Sequence, residues 1–161
     1  MIGMFRELQR KKNKLPQESC IALLRKETRG VLSVLGDDGY PYGMPMNHYY
    51  NEADGKLYFH CGRSGHRLDA LRKQNKASFC VYDKGVRKEG EWALNVCSVI
   101  AFGKVEIIED LEQIATITRE LSYKFTQDEA YIQREIEQFA DKTYLLAMTI
   151  EHLCGKEVNE S

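Results

Sequence analysis

The chain has 161 residues, which is enough for one domain with a substantial hydrophobic core. Its 23 basic and 24 acidic side chains nearly cancel, so no overall positive field favours nucleic acid or an anionic membrane. The apolar runs are too short to span a bilayer and no leader-like pattern opens the sequence, so we expect a cytoplasmic protein without nucleic-acid or membrane partners.

The five cysteines agree with that location. Their number is odd, their spacing is wide and no CxxC pair occurs, which is not the pattern of a disulfide framework or a zinc ribbon. We therefore expect free thiols in a reducing compartment, most of them buried as small apolar side chains.

The first half of the chain predicts a basic arm, a helix and an antiparallel meander. Residues 1–14 form the arm, which we expect to be solvated rather than to contact nucleic acid. A helix follows Pro16, and the strand after it turns at residues 37–39. Pro41 and Pro45 place the second strand at a sheet edge, because proline cannot donate to a ladder. The three predicted strands are GVLSVLG (30–36), YPYGMPMNHYY (40–50) and KLYFHC (56–61).

The second half predicts three more strands and two helical regions. A short helix, HRLDALRKQ, begins near Gly65, and residues 85–91 read as a polar loop. Residues 110–139 are a helical insert with a break near Gln127 and Asp128, and residues 155–161 are a polar tail. The strands are KASFCVYD (76–83), WALNVCSVIAFGKVEII (92–108, with a bend at Gly103) and TYLLAMTIEHL (143–153).

This element order favours a mainly β fold with peripheral helices, of the α+β class. Turns, not helices, join the first three strands, so a doubly wound parallel sheet is excluded. We expect one domain over residues 1–161, built as a small antiparallel barrel with the helices outside.

A glycine-spaced turn between strand and helix is the strongest candidate for a binding site. The segment FHCGRSGHRLDALRK (59–73) sets Arg63, Ser64, His66 and Arg67 at a helix start, where unpaired backbone N–H groups attract an anion. The alternative is a capped helix whose basic residues face water. Neither a P-loop nor a dinucleotide fingerprint is present.

Two histidines on the meander are the other candidates. A simple turn register would place His48 and His60 on one face of paired strands. Cys61 would point to the opposite face and no regular ligand spacing occurs, so we predict no metal site. The histidines would then line the barrel or a ligand. No GxSxG elbow supports nucleophilic catalysis.

Four motifs together resemble the pyridoxamine-phosphate-oxidase-like FMN-binding split barrels, and within them the branch with the 5-nitroimidazole-resistance flavoproteins. The resemblance runs from about residue 15 to residue 156. The motifs, in order, are DDGYPYGMPMNHYY, LYFHCGRSGHRLDALRKQNKASFCVYD, CSVIAFGKVEII and TIEHLCGK.

The resemblance implies a six-stranded antiparallel FMN-binding split β-barrel that works as a homodimer, with FMN at the subunit interface. The implied catalytic residues are His48, as a donor beside the flavin ring, and His60, as a proton donor. Either His66 or Arg67 would carry the charge that holds the phosphate. The implied cofactor-binding residues are Met46, Asn47, His48, His60, Gly65, His66, Arg67, Ser98 and Val99.

The resemblance therefore favours an FMN-dependent oxidoreductase that takes electrons from NADH or NADPH and passes them to a small substrate such as a nitroaromatic compound. No arginine or proline follows Arg134, which weighs against vitamin B6 substrates, since true pyridoxamine-phosphate oxidases end in such a segment. Two alternatives stay open: a flavin-binding carrier or sensor without turnover, and a split barrel that binds haem or a deazaflavin.

Overall fold

The computed structural model describes residues 4–161 as four α-helices and eight β-strands. The helices are α1 (Gln17–Lys26), α2 (His66–Lys73), α3 (Leu111–Ser122) and α4 (Glu129–Phe139). The strands are β1 (Arg29–Leu35), β2 (Pro41–Asn47), β3 (Tyr49–Asn51), β4 (Lys56–Gly62), β5 (Lys76–Tyr82), β6 (Val86–Arg87), β7 (Leu94–Ile108) and β8 (Thr143–Asn159).

All strands join one antiparallel sheet in the order β2-β1-β5-β7-β8-β4-β3, with β6 on β7. The two ends of this order, β2 and β3, are separated in the chain only by His48. The sheet must therefore curl until its edges approach each other, and β2 contacts β4 across the remaining gap. The mainly β architecture with peripheral helices agrees with the sequence.

The strand count differs from the predicted six. Six long strands form the sheet, and β3 and β6 add short pairings of three and two residues. β3 is separate from β2 because the chain changes partner at His48: β2 pairs with β1, whereas β3 pairs with β4. β6 lies within the predicted loop 85–91, where it pairs with the first residues of β7.

The core has an inner and an outer part. In the inner part, the side chains on the concave face of the sheet pack against α1 and α2 in one cluster that includes Leu24, Leu68 and Phe79. Outside, α3 covers β4 and β8 through a smaller cluster that includes Tyr58 and Ile114. The outer helices begin at capping aspartates: Asp110 and Asp128 each accept a backbone N–H from the residue three positions later, at 2.9 and 3.0 Å.

Both chain ends are more ordered than the sequence suggested. The predicted polar tail is mostly strand, because β8 continues to Asn159 along the start of β7. In the predicted arm, Phe5 stacks on His152 at a ring distance of 4.9 Å, although Lys11 is solvated as expected. Residues 1–3 of the arm lie outside the described residues. In residues 4–161, no helix is both long and apolar enough to cross a bilayer.

Candidate functional site

The hinge between β4 and α2 is open to solvent. Gly65 has φ of +127°, a conformation that favours glycine, and it directs the chain into the helix at His66. A Cβ atom built at Gly62 or Gly65 would meet no heavy atom within 4 Å. Within the described chain, no side chain caps the start of α2. The first amides of the helix are thus accessible to an anion, as the sequence predicted.

Arg67 brings a fixed positive charge next to this hinge. Its half-buried side chain is held by an Nε–H that donates to Met44 Sδ at 2.8 Å. Arg63, the other arginine of the hinge, lies with its guanidinium carbon 5.0 Å from the centre of the Tyr144 ring. Of the two arginines of the hinge, Arg67 is therefore the one that faces the gap in the sheet.

A groove of about 400 Å³ occupies that gap, where edge strand β2 faces β4. It contains four of the predicted residues, Met46, Asn47, His60 and Arg67. Arg29 and Pro45 complete its lining. Arg29 also donates from Nε to Asn47 Oδ1 at 3.2 Å, which fixes the amide of Asn47 at the groove. The groove thus combines two guanidinium groups with an otherwise uncharged wall.

His60 is the histidine that reaches the groove. Its side chain is exposed, but loss of solvation among the surrounding protein atoms lowers its pKa below the ordinary value. A backbone hydrogen bond opposes this effect, and the charge of Arg67 lowers the pKa further. His60 is therefore uncharged at neutral pH and can either donate or accept a hydrogen bond.

His48 does not reach the groove, which corrects the prediction that it lies beside a flavin ring. Its side chain is 0% exposed and packs edge-on against Phe79 at 4.9 Å. Its Nε2–H donates to the backbone oxygen of Leu24 at 2.7 Å. Burial and the nearby Lys124 lower the pKa of His48 to about 4, so the ring is neutral. His48 is a core residue.

The predicted shared face of His48 and His60 is also wrong. The turn after β3 pairs Asn51 with Lys56, and this register, continued, sets His48 opposite Phe59 rather than His60. Phe59 is buried inside the curl, whereas His60 points outward. Side chains alternate along a strand, so the two histidines lie on opposite faces.

His66 turns away from the groove. Its ring stacks on Tyr42 at 4.3 Å, and Nε2 accepts the backbone N–H of Asp37 at 3.2 Å. The side chain therefore joins α2 to the turn between β1 and β2, while the backbone amide of His66 stays at the helix start. Of the two candidates for holding a phosphate, Arg67 is the one that lines the groove.

Ser98 and Val99 do not line the groove of the same chain. Val99 is 0% exposed and belongs to the inner core, which corrects its predicted place beside the cofactor. Ser98 is half-buried on β7, between Tyr82 and Lys156 of the neighbouring strands. Both lie in the middle of the sheet, away from the gap between its edges.

Sequence reasoning missed Arg29 and Pro45. A signal for Arg29 was present, since the turn at residues 37–39 sets the register of β1 and β2 and pairs Arg29 with Asn47. Counting back from the turn would have placed this arginine beside the predicted cofactor residues.

The fold and the sequence of this chain match one known family. The sequence pattern described as pyridoxamine 5'-phosphate oxidase matches residues 16–157. No curated protein shows significant sequence similarity to the chain.

Several solved structures share the fold at low sequence identity. One is a candidate 5-nitroimidazole antibiotic resistance protein from Bacteroides thetaiotaomicron, with a TM-score of 0.74, 19% identity and coverage of 91% of this chain and 87% of that one. Another is an FAD-binding protein from Mesorhizobium loti, with a TM-score of 0.65, 20% identity and coverage of 90% of this chain and 96% of that one. A third is an FAD- and haem-binding protein from Mycobacterium smegmatis, with a TM-score of 0.70, 20% identity and coverage of 94% of this chain and 75% of that one.

The family pattern covers the open hinge, the groove and nearly the whole curled sheet. The chain belongs to the pyridoxamine 5'-phosphate oxidase family.

Proposed function

We propose that the groove binds FMN and that the protein is an FMN-dependent oxidoreductase, which passes electrons from NADH or NADPH to a small acceptor such as a nitroaromatic compound. The observation that carries this proposal is the open glycine hinge at the start of α2, directly beside Arg67. Support comes from family membership and from solved structures of the same fold that are described as FAD-binding and as a candidate nitroimidazole resistance protein.

The residues present fit a flavin phosphate. The accessible amides of Gly65, His66 and Arg67 would donate to its oxygens, and the Arg67 guanidinium would balance its charge. Met46 and Asn47 would line the ring system along β2. A bound flavin would supply the hydride-transfer chemistry, while the protein supplies binding, orientation and access.

His60 is the candidate catalytic residue of this site. It is exposed at the groove, and its neutral imidazole carries one proton that it can donate to a substrate near the groove or take back. His48, the other predicted catalytic histidine, is enclosed in the core and has no such role in the proposal.

A second copy of the chain would complete the groove, and a homodimer is part of the proposal. The groove of one chain is a shallow opening, whereas sites for ligands of this size bury most of the ligand surface. A cytoplasmic location also belongs to the proposal and is supported by the free state of all five cysteines.

One observation favours a second candidate function, a flavin carrier or sensor without turnover. Of the two histidines predicted to act in catalysis, only His60 borders the groove, so the site offers fewer groups for proton transfer. For a haem-binding variant of the fold, His60 is the histidine that the groove offers as a ligand, and the M. smegmatis neighbour is described as binding haem as well as FAD.

The test is to purify the protein, record its visible spectrum, and titrate it with FMN, FAD and haem. We expect a two-band flavin spectrum, tighter binding of FMN than of FAD, and oxidation of NADH or NADPH that depends on an added nitroimidazole. A colourless protein that ignores FMN contradicts the proposal. Bound FMN that NADH and NADPH reduce only as slowly as free FMN identifies the carrier, and a Soret band identifies the haem protein.

A further inference from the structure

The groove has two ends, and each end carries an arginine. Arg67 lies at the α2 hinge, where its Nε–H donates to Met44 Sδ. Arg29 is the first residue of β1 and donates from its own Nε–H to Asn47 Oδ1. Met44 and Asn47 are three residues apart on β2, which is about 10 Å along a strand. The two arginines are therefore held at separate points of the groove.

Arg29 keeps most of its hydrogen-bond donors free. A guanidinium group has five N–H donors, and the contact with Asn47 uses the one on Nε. In the described part of the chain, no carboxylate lies within ion-pair distance of this group, whereas Arg25 is paired with Glu52 at 2.7 Å. The Arg29 side chain is exposed where it borders the groove. Its terminal N–H groups are thus available to an anion.

Asn47 adds donors at the same point. Its Oδ1 accepts from Arg29, so the NH₂ group is the part of the amide that is left for another partner. Together the two side chains offer the groove N–H groups, and their one accepting oxygen is already engaged. Such a pair suits an anionic or strongly accepting atom of a ligand and disfavours a cation.

The backbone on both sides of this pair is held in place. The oxygen of Thr28 accepts the backbone N–H of His48 at 3.4 Å, and the oxygen of His48 accepts from Lys124 Nζ at 2.9 Å. Thr28 directly precedes Arg29 in the chain. His48 directly follows Asn47, so the two hydrogen bonds fix the chain next to each member of the pair. Donors that are held in position stabilise a developing charge well, because they need not reorient when it appears.

The positive charge of Arg29 has no counterpart in the groove. Among the described residues that line the groove none is acidic, and His60 is uncharged at neutral pH. If the flavin phosphate lies at the α2 hinge, as proposed above, its charge is balanced by Arg67 and the first amides of the helix. The ring system along β2 then extends towards Arg29, and an oxidised flavin ring is neutral.

Reduction of the flavin would supply the missing negative charge. A hydride from NADH or NADPH brings one proton and two electrons to N5 of the ring and leaves NAD⁺ or NADP⁺. The reduced ring then carries one negative charge, shared between N1 and the C2 carbonyl oxygen, unless N1 takes up a proton from water. A positive group beside the ring favours the charged form and so makes reduction easier.

We propose that Arg29, held by Asn47, balances the negative charge of the reduced flavin ring and thereby raises the redox potential of bound FMN. This inference rests on the proposed function. It gives the two arginines different tasks: Arg67 binds the phosphate, whose charge stays constant during the reaction, and Arg29 interacts with the ring, whose charge changes.

The experiment measures the redox potential of FMN on the purified protein by reductive titration against a reference dye. Arg29→Gln removes the charge, so we expect it to weaken binding of reduced FMN about tenfold more than binding of oxidised FMN, the effect of one charge-assisted hydrogen bond. For a two-electron couple, a tenfold change corresponds to a potential lower by about 30 mV. Arg29→Lys keeps the charge and should stay closer to the parent.

The protonation of the reduced ring is a second readout. Absorption spectra of the reduced protein, recorded at a series of pH values, distinguish the neutral ring from the anionic ring. Loss of a neighbouring positive charge raises the pKa of ring N1, so Arg29→Gln should take up this proton at a higher pH than the parent. A merely structural role of Arg29 would leave this pKa unchanged.

Two further variants are the controls. Arg25→Gln removes an equal charge from an exposed arginine outside the groove and should change neither the affinity for FMN nor its potential. Arg67→Gln should weaken binding of oxidised and reduced FMN equally, so the potential should remain that of the parent. Cooperative thermal unfolding of every variant checks that it is folded.

The outcomes separate this inference from the proposed function. An Arg29→Gln protein with the potential and the ring pKa of the parent overturns the inference. Equal weakening of oxidised and reduced FMN also overturns it, because Arg29 would then be a second ligand of the phosphate. In both cases FMN is bound and the flavin site stands, whereas a parent protein that binds no FMN contradicts the proposed function and the inference together.

Discussion

At the scale of single residues, Arg67 should decide whether the groove holds a phosphate. Arg67→Glu places a negative charge where the phosphate charge is proposed to lie, so we expect FMN binding to weaken by on the order of 2–4 kcal/mol, roughly 30-fold to 1,000-fold in Kd. Isothermal titration with FMN measures this loss. Arg72→Glu is the matched control, because Arg72 is on the same helix but in its last turn.

The two variants also need a check on folding, because Arg67 is half-buried and contacts Met44. Thermal unfolding should show cooperative transitions for both. An Arg67→Glu protein that folds and binds FMN as tightly as the parent would move the phosphate site away from this hinge.

His48 should make the stability of the protein depend on acid pH. Its pKa is lowered to about 4 in the folded chain and is near 6.5 in an unfolded chain. The unfolded state therefore binds more protons between these values, and stability that is complete above pH 6.5 is lost as the pH falls towards 4. The full contribution of this group is about 3 kcal/mol.

Urea unfolding at pH 7 and pH 4.5 measures this effect. Gln at position 48 can still donate a hydrogen bond but does not titrate, so His48→Gln should lose about 2–3 kcal/mol less than the parent between the two pH values. Equal losses in the two proteins would show that His48 is not held neutral by the core.

The site residues show which parts of sequence reasoning work at this scale. The helix start at Gly65 was predicted correctly because a glycine-spaced turn is a local signal, while phosphate binding by Gly65 and Arg67 stays a prediction. The predicted shared face of His48 and His60 was wrong because it depended on the register of a turn and on a change of strand partner, and neither is local. Val99 failed for a related reason, since a motif position does not reveal which face of a long strand is buried.

At the scale of elements, Lys124 connects the helical insert to the curled sheet. Just after α3, its Nζ donates to the backbone oxygens of Glu27 at 2.6 Å, His48 at 2.9 Å and Leu24 at 3.4 Å. These oxygens lie at the end of α1 and at the point where the chain changes from β2 to β3. Burial lowers the pKa of Lys124 to about 8, although the nearby Glu27 opposes this.

Lys124→Met should therefore destabilise the protein, because it leaves partly buried carbonyl groups without their donor. We expect a loss of about 1–3 kcal/mol in the free energy of unfolding, measured in urea at pH 7. Lys26→Met, at an exposed position of α1, should change stability little. A similar small change for both variants would mean that the contact of Lys124 is dispensable.

The elements themselves divide into those that local signals specify and those that need distant partners. The apolar periodicity of residues 110–139 predicted both insert helices, and Pro41 and Pro45 marked β2 as an edge. β6 and the end of β8 were missed because their polar residues form strands only against β7. From their polarity alone, such segments are predicted to be a loop or a tail.

At the scale of the whole molecule, one face of the sheet is suited to a second copy of the chain. Val31 and Leu35 point outward from β1 and are 38% and 49% exposed. Val31 pairs with Pro45, which also lines the groove, so the exposed apolar face continues directly into the proposed cofactor site. A second copy on this face would bury the apolar side chains and cover the open side of the groove.

This arrangement predicts that assembly and FMN binding fail together. In sedimentation, the parent should have twice the chain mass, and Leu35→Glu should have the mass of one chain, because a carboxylate in an apolar interface is costly to desolvate. Leu35→Glu should also weaken FMN binding, although Leu35 does not line the groove.

The control is Leu111→Glu, which changes another exposed leucine, at the start of α3. This variant should remain dimeric and bind FMN like the parent. Monomers that retain one FMN per chain would show that a single copy of the groove is sufficient, and the covering role of the second chain would then be wrong.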